Sequence, residues 1–314
     1  MLRFLVRRTL TGVLVLWLVT TLVFILFFAT SRDPAARFAG KSATPATLAL
    51  LRHRLGLDEP LPLQYWHFLT RLLSGDLGYS YATRSSVDGL IGDALPVTVW
   101  LTCGAAALWL LAGVFTGVIS ATRAHSAVDR GITFLVIVGT SVPAFITAAT
   151  LLYLLAFKLP IFPLGGYVPL RQNPVGWLQH LLLPWVTGAL LQSAVYTRLT
   201  RGSLLDVLDE DYVRTARAKG LSERRVVYRH GLRSALTPIV TQFGMDLGAV
   251  LSGALVTETV FGLQGIGELT VRSMTAGDLP VIMAVVLLAA VGTVVTNLLV
   301  DVVYAVLDPR VRLT

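Results

Sequence analysis

The chain has 314 residues, a formal net charge of +8, 54% hydrophobic but only 14% charged residues, and a mean hydropathy of +0.71. Charge this sparse, with apolar residues gathered in runs of about 20, excludes an ordinary soluble domain and indicates an integral membrane protein. The single cysteine, Cys103, excludes a disulfide framework and a thiolate metal cluster.

Arg3, Arg7 and Arg8 precede residues 9–30, which carry no charge over 22 positions. A secretory h-region is about 7 to 15 residues long, so this run reads as an uncleaved first helix. Residues 31–95 are too polar to cross a membrane. Within them, 47–55 is helix-like and stops at Gly56, Pro60 and Pro62 interrupt the chain, and 63–73 is amphipathic. Tyr65, Trp66 and Phe68 suit that helix to the membrane interface, as a structured loop or as a contact for a soluble partner.

The next two spans are 96–122 and 131–157, each free of charge over 27 residues. A fourth runs from 181 to 197 and can extend back to Trp177. The fifth, 236–256, contains nine Leu, Ile, Val or Phe residues. They contribute about −3 to −5 kcal/mol to insertion, against about +2.5 to +3.5 for a central Asp246, so neighbouring helices must assist it. The sixth, 279–300, is again uncharged. Pro143 and Pro184 fall inside spans and are expected to kink them. Gly113 with Gly117, and Gly244 with Gly248, are small-xxx-small pairs that allow close helix approach.

Orientation is set by the basic residues. With the N-terminus inside, the inner segments hold 16 Lys/Arg in 69 residues and the outer ones 10 in 108, a bias that puts both termini in the cytoplasm. The net positive charge is therefore a topology signal rather than a nucleic-acid footprint.

The longest inner segment is 198–235. Asp209, Glu210 and Asp211 precede a short apolar pattern, Arg214, Arg217 and Lys219 close it, and Gly220 comes next. Acids at the positive end of a helix, bases at its negative end and Gly at the stop predict a helix over 211–219. It would be about 14 Å long, enough to lie across a groove on another protein. Ser222 is placed to cap a second helix beginning at Glu223.

Residues 212–220 read Tyr-Val-Arg-Thr-Ala-Arg-Ala-Lys-Gly, which resembles the coupling motif of ABC importer permeases in its dipeptide, oligopeptide and nickel branch. Ala216 and Gly220 match the general Glu-Ala-Ala, three residues, Gly pattern. Arg214 stands where Glu is usual and Thr215 where the first Ala is usual. Similar permeases also carry counterparts of Arg7-Arg8, of 55–60 with Gln64 and Tyr65, of 75–78, of 258–261, of 301–304 and of 307–310. At 31–34 this chain has Ser-Arg-Asp-Pro where the family has Pro-Gly-Asp-Pro.

The resemblance implies an all-α integral membrane protein with the six transmembrane helices of the type I permease fold, both termini cytoplasmic, and an extracytoplasmic helical segment after helix 1. The organisation would be 1–30 arm and first helix, 31–95 extracytoplasmic segment, 96–300 five-helix core including the coupling loop 198–235, and 301–314 cytoplasmic tail. Implied partners are a second homologous permease subunit, two cytoplasmic ATPase subunits, an extracytoplasmic solute-binding protein and a peptide substrate, all at the inner membrane among its lipids. The coupling contact would fall on Asp211, Tyr212, Arg214, Thr215, Ala216, Arg217, Lys219 and Gly220. ATP and Mg would belong to the partners, with no cofactor on this chain. The sequence agrees in having no Gly-x-x-x-x-Gly-Lys-Ser/Thr loop.

No residue pattern suggests catalysis or a metal site: His-Glu-x-x-His and Gly-x-Ser-x-Gly are absent, and His53, His67, His125, His180 and His230 are scattered. Asp246 is the acid nearest the middle of a span, and Gln242 lies one turn before it. With Gln192 and Asn297 they either line a translocation path or bond helices together. Glu258 is expected at an exposed helix end, as an ordinary residue or in a gate or interfacial ion pair. The reading is an importer of dipeptides or oligopeptides working by alternating access. Nickel chelates, haem or glutathione are alternative cargoes, and a gated channel or membrane scaffold is the alternative class.

Overall fold

The computed structural model describes residues 2–29, 44–54, 58–251 and 254–307, and within them regular structure is helical apart from one isolated bridge between Tyr79 and Ser86. The sequence features at 31–34, at Gly56 and at 308–310 lie outside the described residues. Helix α1 (Leu2–Phe24) passes into a π turn at Ile25–Ala29 and exposes Val13, Trp17, Leu18 and Leu22, as an apolar helix in lipid can.

Next come helices α2 (Pro45–Arg54) and α3 (Leu61–Leu73). Proline in the first turn of α3 is tolerated because its missing N–H would have no partner there. This helix packs on the first one. Tyr65 shares a 2.7 Å hydroxyl hydrogen bond with Thr21, and Phe24 lies 5.1 Å from the Tyr65 ring and 5.7 Å from the Phe68 ring, so α3 is tied to α1.

Helix α4 (Val87–Thr122) starts well before residue 96. Ser86 accepts from Gly89 N at its N-cap and Asp88 lies in its first turn, two local signals that outweigh Pro96. Its 36 residues extend about 54 Å, more than the hydrocarbon core, so one end stands outside it.

The expected single span at 131–157 is instead a bent pair. Helices α5 (Ala127–Ser141) and α6 (Ala144–Leu152) meet at 98°. Pro143 forbids helical geometry to the residue before it, and Val142 is extended at φ −91°, ψ 125°, which ends α5. Pro184, by contrast, lies inside the uninterrupted α7 (Pro174–Leu208), which contains the fourth expected span.

Helix α8 (Asp211–Ala218) and a turn at Glu223–Arg225 come next. Ser222 occupies the N-cap of that turn, but its side chain makes no capping bond; its backbone carbonyl accepts from Arg225 and Val226 instead. Helix α9 (Leu232–Leu251) and α10 (Leu255–Phe261) are bent by 53°, and α11 (Ile266–Ala276) and α12 (Leu279–Leu307) complete the chain. Three helices, Val6–Phe27, Val87–Thr122 and Leu279–Leu299, are long and apolar enough to cross a membrane, and each bent pair could form one more span.

The core is the α4–α7 seam. A Cβ on Gly113 would lie 2.3 Å from Tyr196 Cβ, and one on Gly117 2.5 Å from Thr200 Cβ, so this small-xxx-small pair sets a close approach that larger residues would block. Gly248 is less demanding: its Cβ would sit 3.6 Å from Thr293 Cα, an ordinary contact.

Candidate coupling and translocation site

Helix α8 is amphipathic. Val213 and Ala216 are buried and join Val118, Leu204, Leu208, Val226 and Ala235 in one apolar cluster. Asp211, Tyr212, Arg214, Thr215 and Lys219 are exposed. The helix is thus held from behind and presents a charged ridge. Arg217 fixes its end: Nε binds Glu223 Oε1 at 2.7 Å, and Nη1 donates to Leu208 O at 3.2 Å, satisfying a carbonyl at the C-terminus of α7. Tyr212 bonds Ser234 through their hydroxyls at 3.1 Å.

Gly220 has φ 79°, Gly220 N donates to Arg217 O, and Leu221 N reaches Ala216 O, which is the left-handed helix stop expected from sequence. Among the described residues, a Cβ at Gly220 would meet no atom within 4 Å beyond its chain neighbours. The position is constrained by its backbone angle, not by crowding.

Of the four polar residues expected within spans, two come together. Gln242 Nε2 donates to Asp246 Oδ1 at 2.9 Å, and the buried Tyr196 hydroxyl donates to Asp246 Oδ2 at 2.8 Å. No sequence signal marks Tyr196 for this role; it is held against Gly113 and near the Trp109 ring. Gln192 is half-buried one turn before Tyr196 on α7, while Asn297 is exposed on α12.

Three further carboxylates are buried, and for two of them, Asp129 and Asp278, the sequence offered no reading. Asp129 is 4% exposed: Arg201 binds it in bidentate fashion at 2.8 Å and 2.8 Å, and Ser120 Oγ and His125 N also donate to it. Glu258 departs from expectation. It is 0% exposed and has no ion pair among the described residues, accepting from Thr98 Oγ1 at 2.6 Å, Gly267 N at 2.7 Å and Glu268 N at 3.1 Å at the start of α11. The positive end of α11 and these donors stabilise the carboxylate. The signal that could have found it is the glycine spacing: a Cβ on Gly265 would lie 2.4 Å from Glu258 Cδ, so Gly265 makes room for it. Asp278, 2% exposed, likewise accepts from Ser80 Oγ, Tyr81 N and Ala82 N, fastening the 76–86 loop to the start of α12.

These features define a multi-pass helical membrane protein whose charged surface helix is braced by its own core. Residues 113–313 match the model of the binding-protein-dependent transport system inner membrane component, and residues 1–102 match that of the N-terminal part of the same membrane component. The chain belongs to this family of inner membrane permeases. Among its relatives, a chain of Brucella abortus provisionally named a peptide transport system permease protein is 38% identical over 98% of both chains. A probable peptide ABC transporter permease protein of Sinorhizobium fredii is 38% identical over 98% of this chain and 99% of its own. The glutathione transport system permease protein of Pectobacterium atrosepticum is 40% identical over 99% of both.

Proposed function

We propose that the chain is one permease subunit of an ATP-driven importer of short peptides. In this reading it has six spans: α1, α4, the α5–α6 pair, α7, the α9–α10 pair and α12. Both termini face the cytoplasm, in accord with the basic-residue bias. A second permease, two ATPase subunits and a solute-binding protein complete the machine, and ATP and Mg stay with the ATPases.

The observation that carries the reading is the geometry of α8. Its exposed ridge of Asp211, Tyr212, Arg214, Thr215 and Lys219 stands on a face sealed by Val213 and Ala216, with Arg217 and Gly220 fixing its end. A short helix braced in this way transmits force instead of yielding to it, as a coupling element to an ATPase groove requires. Displacement of α8 would pass through Leu204 and Leu208 to α7, which carries Gln192 and Tyr196, and from there to Asp246 and Gln242, the proposed path wall. Asn297, exposed on α12, would face lipid or the second permease.

Gly220→Glu tests this. Open space around Gly220 leaves only the cost of its positive φ, about 1 kcal/mol, which the membrane fold tolerates, and loss of ATP-driven peptide uptake with retained subunit yield is the expected result. Normal uptake would remove α8 as the docking element. The glutathione reading is favoured by the relatives named glutathione transport permeases. Competition between a linear tripeptide and glutathione for uptake separates the two cargoes.

A further inference from the structure

A cavity of about 400 Å³ opens between the π turn that follows α1, α3, the 76–86 loop, the first turn of α4 and α12. We infer that it is a binding site for a zwitterionic aminophospholipid, one acyl chain lying along α12 and the headgroup held by Arg71, Asp76 and Asp88. Its size is that of a small-molecule pocket.

The cavity has two chemically distinct ends. The Ser80–Asp278 and Tyr81–Asp278 hydrogen bonds fasten the loop beside Leu279, the first residue of α12. The charged lining is gathered there: Asp76 N bonds Arg71 O at 3.0 Å, and Leu77 N donates to Asp88 Oδ1 at 2.9 Å. One and two turns further along α12, Met283 and Leu287 cluster with Val23, Phe27, Phe68 and Leu72. From Leu279 to Leu287 the groove tracks a spanning helix for about 12 Å. It therefore runs from the polar edge of the bilayer into its hydrocarbon, the direction an acyl chain takes.

Charge selects the headgroup. The Arg71 side chain is exposed and has no ion pair or hydrogen bond among the described residues, so a phosphate is its natural partner. Asp76 and Asp88 each use one described contact, to Gly78 N and Leu77 N, and keep lone pairs for a donor. One cation and two carboxylates disfavour a purely anionic headgroup and suit a phosphate bearing a primary ammonium. A quaternary ammonium of equal charge cannot donate to either carboxylate.

The test is native mass spectrometry of the assembled transporter extracted from vesicles of equal phosphatidylethanolamine, phosphatidylcholine and phosphatidylglycerol. The wild type should retain phosphatidylethanolamine over phosphatidylcholine by about tenfold, the worth of one charge-assisted hydrogen bond. Asp76→Asn combined with Asp88→Asn should abolish that preference, Arg71→Gln should lower retention of both zwitterionic lipids alike, and Leu72→Trp, which fills the cavity from a half-buried position, should remove the retained lipid. All variants must keep wild-type subunit yield, and Phe27→Trp provides a second filling substitution if Leu72→Trp does not. Preferential retention of phosphatidylglycerol overturns the zwitterionic assignment. Equal retention in the filled variant, no retained lipid, or occupation of the cavity by the soluble binding protein overturns the site.

Discussion

The two ends of the molecule hold buried carboxylates by different means. Asp129, beside the basic segment 198–235, faces a guanidinium in a bidentate pair. Glu258 and Asp278, at the far end, are bound by hydroxyls and backbone N–H groups, with no cation among their described partners. Charge locks α5 to α7 at one end; at the other, donor count shapes loops and the start of α11. The first arrangement depends on the sign of the charge, the second on acceptor geometry, and neutral isosteres separate them.

The largest effect belongs to Asp129. Its replacement by Ala should cost about 3 kcal/mol, the lower part of the range for breaking a buried pair, because Arg201 retains 29% exposure. Asp129→Asn should cost nearly as much, since its amide turns a donor toward the guanidinium. Thermal unfolding in nanodiscs measures both, and a loss below about 1 kcal/mol would make this an ordinary surface pair and break the contrast.

Glu258→Ala comes next, at about 2 to 3 kcal/mol, because the Thr98 hydroxyl and the Gly267 and Glu268 amides lose their acceptor. Glu258→Gln keeps an oxygen for the amides and should cost about 1 kcal/mol. If Gln is as damaging as Ala, charge matters at this end as well.

A smaller effect is expected at Gly220. Gly220→Ala should destabilise by about 1 kcal/mol through its positive φ alone. A D-alanine introduced by semisynthesis should restore stability, and failure to do so would point to crowding.

Asp246→Asn should be the mildest for stability, below about 1 kcal/mol, because Asn still accepts from Tyr196 and the Gln242 amide can turn to pair with it. Its effect should appear in uptake, as altered preference among acidic, neutral and basic peptides. Unchanged preference with unchanged yield would remove Asp246 from the path.

Local signals made much of the end that carries α8 legible. The acid-to-base order over 211–219 and Gly220 specify a helix and its stop within one short window, and α8 obeys them. Apolar run lengths located α1 and α12 for the same reason. Run length could not distinguish a straight 131–157 span from a pair bent by 98°, although the Val142–Pro143 step held that information locally. Nor could it show Tyr196 reaching Asp246, which requires Gly113 on another helix to admit it.

The sequence by itself determined the class of solvent, the number of apolar runs, the basic-residue bias and the amphipathic helix over 211–218, because composition and short-range periodicity report how each segment meets water or lipid. Only the tertiary structure decided which carboxylates are buried and what binds them. Glu258 and Thr98 are 160 positions apart, and Asp278 and Ser80 are 198 apart. A buried charge is stabilised by the donors that surround it, and those donors are brought together by packing, not by their order along the chain.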